Sequence, residues 1–356
     1  MFAFERGSTQ YVLRPEVTAP VVRAYHEHNL KQKGGVQRLF YIGPCFRAER
    51  PQKGRYRQFH QFGAETLGSD QPAADAESIV LLLAILRRLG LRELKVRLNS
   101  LGDPDDRARF RDALVAHLTP HADQLSETSR GRLATNPLRI LDTKSESEQA
   151  LLVGAPSMPD FLSDDARAHH NRVKALLTAA GVDFTEDPTL VRGLDYYGRT
   201  SFEIESPNLG AQSAVAGGGR YDGLSETLGA QATPAVGFAC GIERILLALQ
   251  AEGVELPQSP APSVYVLGLG DEASTAAFEL AHRLRAADVP TMLSLKGGSL
   301  KSQMKEADRR NARFVVLIGD DELAQQSASV RDMTASEQTT IALSALPDYL
   351  TAALAR

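Results

Sequence analysis

Residues 39–47, LFYIGPCFR, and 58–65, QFHQFGAE, alternate in side-chain character residue by residue, and a strongly basic stretch joins them. Successive side chains of a strand point to opposite faces, so this pattern reads as an antiparallel hairpin. One face of the first run carries Tyr41, Gly43, Cys45 and Arg47; the other carries Phe40, Ile42 and Phe46. On the second run Phe59, Gln61, Gly63 and Glu65 share a face, opposite His60, Phe62 and Ala64. Arg47, Arg50, Lys53, Arg55 and Arg57 stand against Glu49 alone within residues 47–57. Positive charge of that density needs a polyanion or water in front of it. A guanidinium, an aromatic plate, an amide and a carboxylate on one floor suit a small zwitterion beside a nucleotide. A solvated hairpin with a charged tip fits the same segment.

The chain's 356 residues are enough for two or three domains and a sizeable core. Its apolar fraction of 43% and charged fraction of 24% exclude a disordered chain. Cys45 and Cys240 lie far apart and neither sits in a metal-type pair, which argues against structural zinc and against a disulfide framework. No apolar run reaches a membrane-spanning length, and Met1 opens onto FAFERG rather than a signal sequence. The expectation is a cytoplasmic protein with no membrane partner. The net charge of −4 carries no global sign of a nucleic-acid partner, so any such contact falls to local basic patches.

Residues 1–68 read as strand, helix and hairpin, with Val21, Val22 and Tyr25 on the helix. DAESIVLLLAILRRL has the length and composition of a buried helix, and LKVRLNSLG follows as a strand. Residues 103–184 are rich in Asp, Arg, Ala, His and Ser and read as a helical insertion. It would interrupt a core made of 1–102 and 185–250. Strand signals return in TLVRGLDYYGRTSFEIE, AVAGGGRYDGL and AVGFACGIER. A Pro/Ser-rich linker occupies 251–262. From 263 to 356, SVYVLGL, VPTMLSL and ARFVVLIG alternate with helical segments, the pattern of a small α/β domain with a largely parallel sheet. Lys301, Lys305 and Arg309 share one helix face there, as a phosphate-contacting stripe or as an ordinary solvated face.

Four further segments carry chemistry. In LRPEVTAP, Glu16 and Thr18 both accept hydrogen bonds and so suit an ammonium; an N-cap at Thr18 explains the segment almost as well. In LVRGLDYYGRTSFE, Gly193 removes bulk beside Arg192, which can fork onto a carboxylate or phosphate. Tyr196 and Tyr197 join a flat apolar body to a hydroxyl; core tyrosines are the alternative. AGGGRYDGL lets backbone approach a ligand but matches neither a Walker loop nor a dinucleotide fingerprint. In GFACGIERILLAL, Ile242, Ile245, Leu246 and Leu249 form an apolar stripe. Arg244 lies about 200° from Ile242 and points away from it, towards a possible nucleotide.

FRAER through QFGAE, RGLDYY and GFACGIER, in this order, resemble the histidyl-tRNA synthetase family over almost the whole chain. The hairpin resembles class II motif 2, GFACGIER resembles motif 3, and RGLDYY with GGGRYDGL resembles the two histidine-specific signatures. The resemblance implies an α+β catalytic domain built on an antiparallel sheet with flanking helices, and a C-terminal α/β anticodon-binding domain. It implies activation of L-histidine by ATP with Mg²⁺, transfer to tRNA(His), and a homodimer. Arg47 and Arg192 match positions at the α-phosphate and act as the catalytic pair, Arg192 also lying near the substrate carboxylate. Glu16, Thr18 and Gln61 match the α-amino site, Glu65 and Tyr197 the imidazole readers, and Tyr196 and Tyr221 the pocket lining. Arg55, Phe59 and Arg244 match further ATP contacts, with Phe59 stacking on adenine. Lys301, Lys305 and Arg309 are the candidate tRNA contacts.

Two departures from the family stand out. Members carry several dozen residues ahead of the LRPE segment, including motif 1 and much of the dimer interface, whereas Met1 here falls just before it. The expectation is weakened dimerisation and activity. Val17 stands where the family has glycine, beside the proposed amino-group site. The rival readings are a histidine-sensing regulatory paralogue without catalysis and an unrelated ATP-dependent ligase on a class II-like core. Retention of the ATP-site arginines and of the tail argues against the first, and RGLDYY against the second.

Overall fold

Period-two alternation does what it implies at the edge of a large sheet. The computed structural model describes residues 1–143, 145–191, 196–256 and 261–354. The chain divides into two compact units, Met1–Leu256 and Pro257–Arg356.

In the first unit β1 (Ala3–Arg6) and β2 (Thr9–Val12) form an exposed antiparallel hairpin with Phe4 stacked on Tyr11. The extended run expected from Tyr11 overlaps the end of β2, while β1 and its pairing with β2 were not anticipated. Then come α1 (Thr18–Glu27), β3 (Gln37–Phe46), β4 (Gln58–Leu67), α2 (Pro72–Leu89) and β5 (Lys95–Ser100). Pro72 opens α2, and Gly90 closes it at φ 114°, a conformation that only glycine adopts freely. The helical segment holds α3 (Pro104–Leu118), α4 (Glu127–Thr135), α5 (Glu146–Leu151) and α6 (Asp164–Ala179). These pack around Phe110, Leu114, Ile140, Met158 and Leu162. The chain returns through β6 (Thr185–Glu186), β7 (Gly198–Glu205), β8 (Ala214–Arg220), α7 (Leu224–Thr227), β9 (Ala235–Gly241) and α8 (Ile242–Ala251).

The seven strands lie in the order β3-β4-β9-β8-β7-β5-β6 and pair antiparallel except for β5 with β6. One face is buried by α2, α6 and α8: Ile79, Leu82, Leu86, Val173, Leu177, Ile245 and Leu249 meet Leu98, Phe202, Ile204 and Phe238. Burying that much apolar surface anchors the sheet and leaves its other face to build a site. The α8 stripe differs from the expected one: Ala248 is buried and Leu246 is 42% exposed. The helix rolls so that Ile245, Ala248 and Leu249 centre the contact.

In the second unit β10 (Val264–Gly268), α9 (Asp271–Ala286), β11 (Thr291–Leu293), α10 (Leu300–Arg309), β12 (Phe314–Ile318), α11 (Asp320–Ala324), β13 (Ser327–Asp332), β14 (Glu337–Ala342) and α12 (Leu346–Leu354) follow in turn. The sheet order is β11-β10-β12-β13-β14. Its first three strands are parallel, but β13 and β14 add antiparallel. The sheet is thus mixed rather than largely parallel: β13 pairs antiparallel with β12, and the short link between β13 and β14 allows only a hairpin.

Candidate active site

The other face of the large sheet, covered in part by Val22 and Tyr25 of α1 and by Tyr197 and Tyr221, is carved by small residues. Rungs of the β3/β4 and β4/β9 ladders set Gly43 beside Gln61 and Gly241, Tyr41 beside Gly63 and Ala239, and Leu39 beside Glu65 and Gly237. β8 extends the last two with Gly217 and Gly219. A Cβ on Gly237 would fall 1.8 Å from Glu65 Oε2, and one on Gly219 would fall 2.9 Å from Tyr197 Cδ1. Glycine here makes room for side chains of the site itself.

Glu65 is the polar centre of this hollow, with 1% of its surface exposed. Thr18 Oγ1 donates to its Oε1 at 2.7 Å, and the Tyr221 hydroxyl donates to Oε2. Burial pushes its pKa up to about 8, against the opposing pull of the Tyr221 and Thr18 hydrogen bonds. Burial, with Glu65 beside it, drives the Tyr221 phenol well above its ordinary range. Tyr196, Tyr197 and Tyr221 wall the hollow, with ring centroids 4.8, 5.7 and 6.3 Å apart.

The LRPE segment is stitched to the end of β3: Arg14 Nε donates to Pro44 O, Phe46 N to Arg14 O, and Arg47 Nε to Pro15 O. The N-cap reading of Thr18 fails. Its hydroxyl serves Glu65, while the Glu16 carboxylate accepts the Ala19 N–H at the start of α1 at 3.1–3.2 Å. Burial raises the Glu16 pKa, with that N–H bond and the charge of Arg47 opposing. Arg47 lies over the ring of Phe59, 5.0 Å from its centroid. Gln61 sits beneath, its Oε1 accepting from Cys45 Sγ at 3.3 Å.

Arg244 and Arg55 lie close together on a second side. A cavity of about 350 Å³ opens there between Gln52, Gly54, Asn208, Arg244 and Leu247. Burial and the neighbouring Arg55 lower the Arg244 pKa, with Glu203 and Glu49 compensating in part. Arg55 itself meets Glu49 at 3.6 Å. Two like charges held together favour an anion between them.

The structure therefore gathers Glu16, Thr18, Arg47, Phe59, Gln61, Glu65, Tyr196, Tyr197 and Tyr221 on one floor, with Arg55 and Arg244 as a neighbouring pair. Arg192 lies outside the described residues. Lys301, Lys305 and Arg309 belong to the second unit, all exposed on α10, with Arg309 also bound to Glu306.

Sequence reasoning missed a buried support. Arg220 is 1% and Asp75 0% exposed. Arg220 donates to Asp75, to Ser69 O and to Asp222, and His169 Nε2 lies 3.4 Å from Asp75 Oδ1. This cluster fixes the residue next to Tyr221. An acidic residue in the first turn of an apolar helix was its faint signal.

The comparisons agree with this geometry. The family profile "Histidyl-tRNA synthetase" matches residues 7–245, and "Anticodon binding domain" matches 263–353. A histidine–tRNA ligase of Thermus thermophilus is 49% identical, covering 99% of this chain and 85% of that protein. That of Halothermothrix orenii is 47% identical, covering 97% and 83%. The crystal structure of apo S. aureus histidyl-tRNA synthetase superimposes with TM-score 0.78 at 39% identity, covering 98% of this chain and 86% of that one. With a matching catalytic region, a matching tail and the glycine-lined hollow, the chain belongs to the histidyl-tRNA synthetase family.

Proposed function

We propose that this protein is a histidine–tRNA ligase: it activates L-histidine with ATP to histidyl-adenylate and pyrophosphate, then transfers the histidyl group to tRNA(His), releasing AMP. The observation that carries the reading is Glu65, sealed in a hollow walled by three tyrosines on the sheet face that also carries Arg47. Glu65 and Tyr197 read the imidazole; Glu16, Thr18 and Gln61 take the ammonium; Tyr196 and Tyr221 line the pocket. A non-polar isostere would leave these buried groups unpaired, a penalty of roughly 10⁴-fold in comparable sites.

Attack of a carboxylate on the α-phosphate is anion on anion, so alignment and charge neutralisation are the main tasks. Arg47 is fixed for that by Pro15 O and by the Phe59 ring. Arg192 is its proposed partner. Arg55 and Arg244 receive the rest of the triphosphate, and the adenine stacks on Phe59. Among the described residues no three acidic, imidazole or thiol groups gather as a metal cage. Mg²⁺ would arrive with the nucleotide and would add charge neutralisation at its phosphates.

Histidine-dependent ATP–pyrophosphate exchange tests the reading, with Arg192→Ala as the negative control. Exchange that requires histidine and vanishes in the variant supports it. Tight histidine binding without exchange would support the regulatory alternative instead, which the anticodon-domain match and the 49% identity to a ligase disfavour.

Lys301, Lys305 and Arg309 contact the tRNA backbone, so charge reversal at Lys301 and Lys305 should weaken tRNA binding and flatten its salt dependence. A homodimer forms through the sheet edge at β3, where Phe40 is 82% and Ile42 71% exposed. Sedimentation of a Phe40→Asp, Ile42→Asp variant as the same species as the parent would refute that interface. No described helix is long and apolar enough to cross a membrane, and a cytoplasmic site of action fits the reaction.

A further inference from the structure

Tyr197 stands one residue ahead of β7, whose first rung pairs Gly198 with Arg220, so its carbonyl lies outside the strand ladder. A side chain of the helical segment takes it up. Arg107, in the first turn of α3, donates from Nη1 to Tyr197 O at 2.7 Å, its one hydrogen bond among the described residues. Gly198 makes the approach possible, since a Cβ there would stand 2.9 Å from Nη1. Burial lowers the Arg107 pKa, with the charges of Asp103 and Asp106 opposing. A guanidinium is thus drawn out of water to hold one main-chain oxygen, through a bond stronger than a neutral donor would make.

The same end of α3 grips the chain again just beyond. Arg199 has φ 34°, a left-handed conformation uncommon for a residue with a side chain, and β7 slips register against β8 between Gly198 and Ser201. Asp103, the residue before α3, binds the Arg199 guanidinium at 2.7 and 3.1 Å. The Arg199 backbone bonds Leu101 N and Gly102 O. Such strain persists only where the surroundings over-determine it, and here residues 101–107 supply that hold.

What this irregular entry to β7 carries is Tyr197. Its ring packs against Gly219 and beside Tyr196 and Tyr221, so the phenol moves with its backbone. A polar reader shifted by a fraction of an ångström no longer meets its ligand in good geometry.

We infer that Arg107 is a positioning residue: through the Tyr197 carbonyl it sets where the Tyr197 phenol stands against the imidazole, so that the helical insertion helps fix the ring specificity of the pocket on the sheet. This rests on the ligase reading above, in which Tyr197 reads the imidazole, and adds a residue from outside the pocket.

The test is a double-mutant cycle in histidine-dependent ATP–pyrophosphate exchange on the whole chain, with histidine affinity measured by calorimetry alongside. Arg107→Met keeps the apolar stem and removes the donors. It should raise the KM and Kd for histidine about tenfold and leave the KM for ATP within about twofold. In a Tyr197→Phe background, where no phenolic hydroxyl remains to be aimed, the same change should cost less than about twofold. Arg107→Lys returns a cationic donor and should recover part of the loss. An unchanged histidine KM overturns the proposal. Equal losses with and without the Tyr197 hydroxyl, or equal losses on histidine and ATP, also overturn it and make Arg107 merely structural. If Arg107→Met does not fold, Arg107→Gln carries the same cycle. Absence of histidine-dependent exchange by the parent protein would refute the ligase reading itself, and the proposal with it.

Discussion

Two buried glutamates in the first unit have opposite fates. Glu65, under the sheet hollow, is 1% exposed, and burial pushes its pKa up to about 8. Glu148, in the helical segment, is 4% exposed, yet hydrogen bonding, Thr143 first, draws it down to about 2. Each accepts hydroxyl hydrogen bonds, Glu65 from Thr18 and Tyr221, Glu148 from Ser129 and Thr143. The difference lies in what surrounds those bonds. Glu148 also takes the Ser126 N–H just ahead of α4, where unpaired backbone N–H groups favour an anion. Among the described residues Glu65 has no backbone donor, and a second carboxylate, Glu16, lies close by. A structural carboxylate is given everything its charge needs. A carboxylate built for a ligand is left short, and the shortfall is a cationic group's place.

Glu65→Gln should separate the two roles most sharply. Glutamine matches the neutral acid that Glu65 is at pH 7, so the unliganded thermal midpoint should move little. Histidine-dependent exchange should fall by about 10³-fold or more in kcat/KM, as in buried sites that lose a polar reader. A loss below tenfold would place Glu65 among structural carboxylates with Glu148.

Asp75 is a third buried carboxylate and shows what a full countercharge does. Burial works to raise its pKa, but hydrogen bonds from His169 and Arg220 and the guanidinium charge outweigh it and hold the group ionised. Asp75→Asn leaves Arg220 buried without its anion and should cost about 3–5 kcal/mol in denaturant unfolding. Pairing Asp75→Leu with Arg220→Met should recover much of that loss, since replacing both partners of a buried pair by apolar groups is often close to neutral. If the single and double variants lose the same stability, the pair is not what holds this corner together.

These three carboxylates were not equally legible. Alternation is local, so Glu65, Gln61, Phe59 and Tyr41 could be assigned to one floor before any coordinates. Asp75 could not, because its partners come from residues 169 and 220 and no short-range pattern announces a contact across 145 positions. Thr18 was readable as a polar group at a helix start, but its bond to Glu65 spans 47 positions, and the N-cap alternative was the local one. The antiparallel end of the second sheet was missed for want of a strong turn signal in MTASE. Family resemblance supplied roles that spacing alone left open, and it carried none for Arg107.

The smallest expected effect is the pH signature of the original pair, and its sign follows from the shifts. Glu65 has a folded pKa raised from 4.5 to about 8, so the folded state holds a proton that the unfolded chain has released across that interval. Its contribution to stability is complete below about pH 4.5 and is lost as pH rises towards 8. Glu148 is lowered from 4.5 to about 2, so its contribution is present above about 4.5 and disappears as pH falls through 2. Unfolding midpoints of the unliganded protein should therefore show two slopes of opposite sign. Glu65→Gln removes the one between pH 5 and 8 and leaves the acid limb. Glu148→Gln flattens the acid limb, costs about 1–2 kcal/mol near neutrality through lost charge-assisted hydrogen bonds, and leaves exchange activity alone. Saturating histidine adds the decisive control. A bound cation favours ionised Glu65, so the neutral-range slope should shrink when histidine is present and the acid limb should not change. A slope indifferent to both histidine and Glu65→Gln would mean that some other group titrates there, and Glu65 would no longer differ in kind from Glu148.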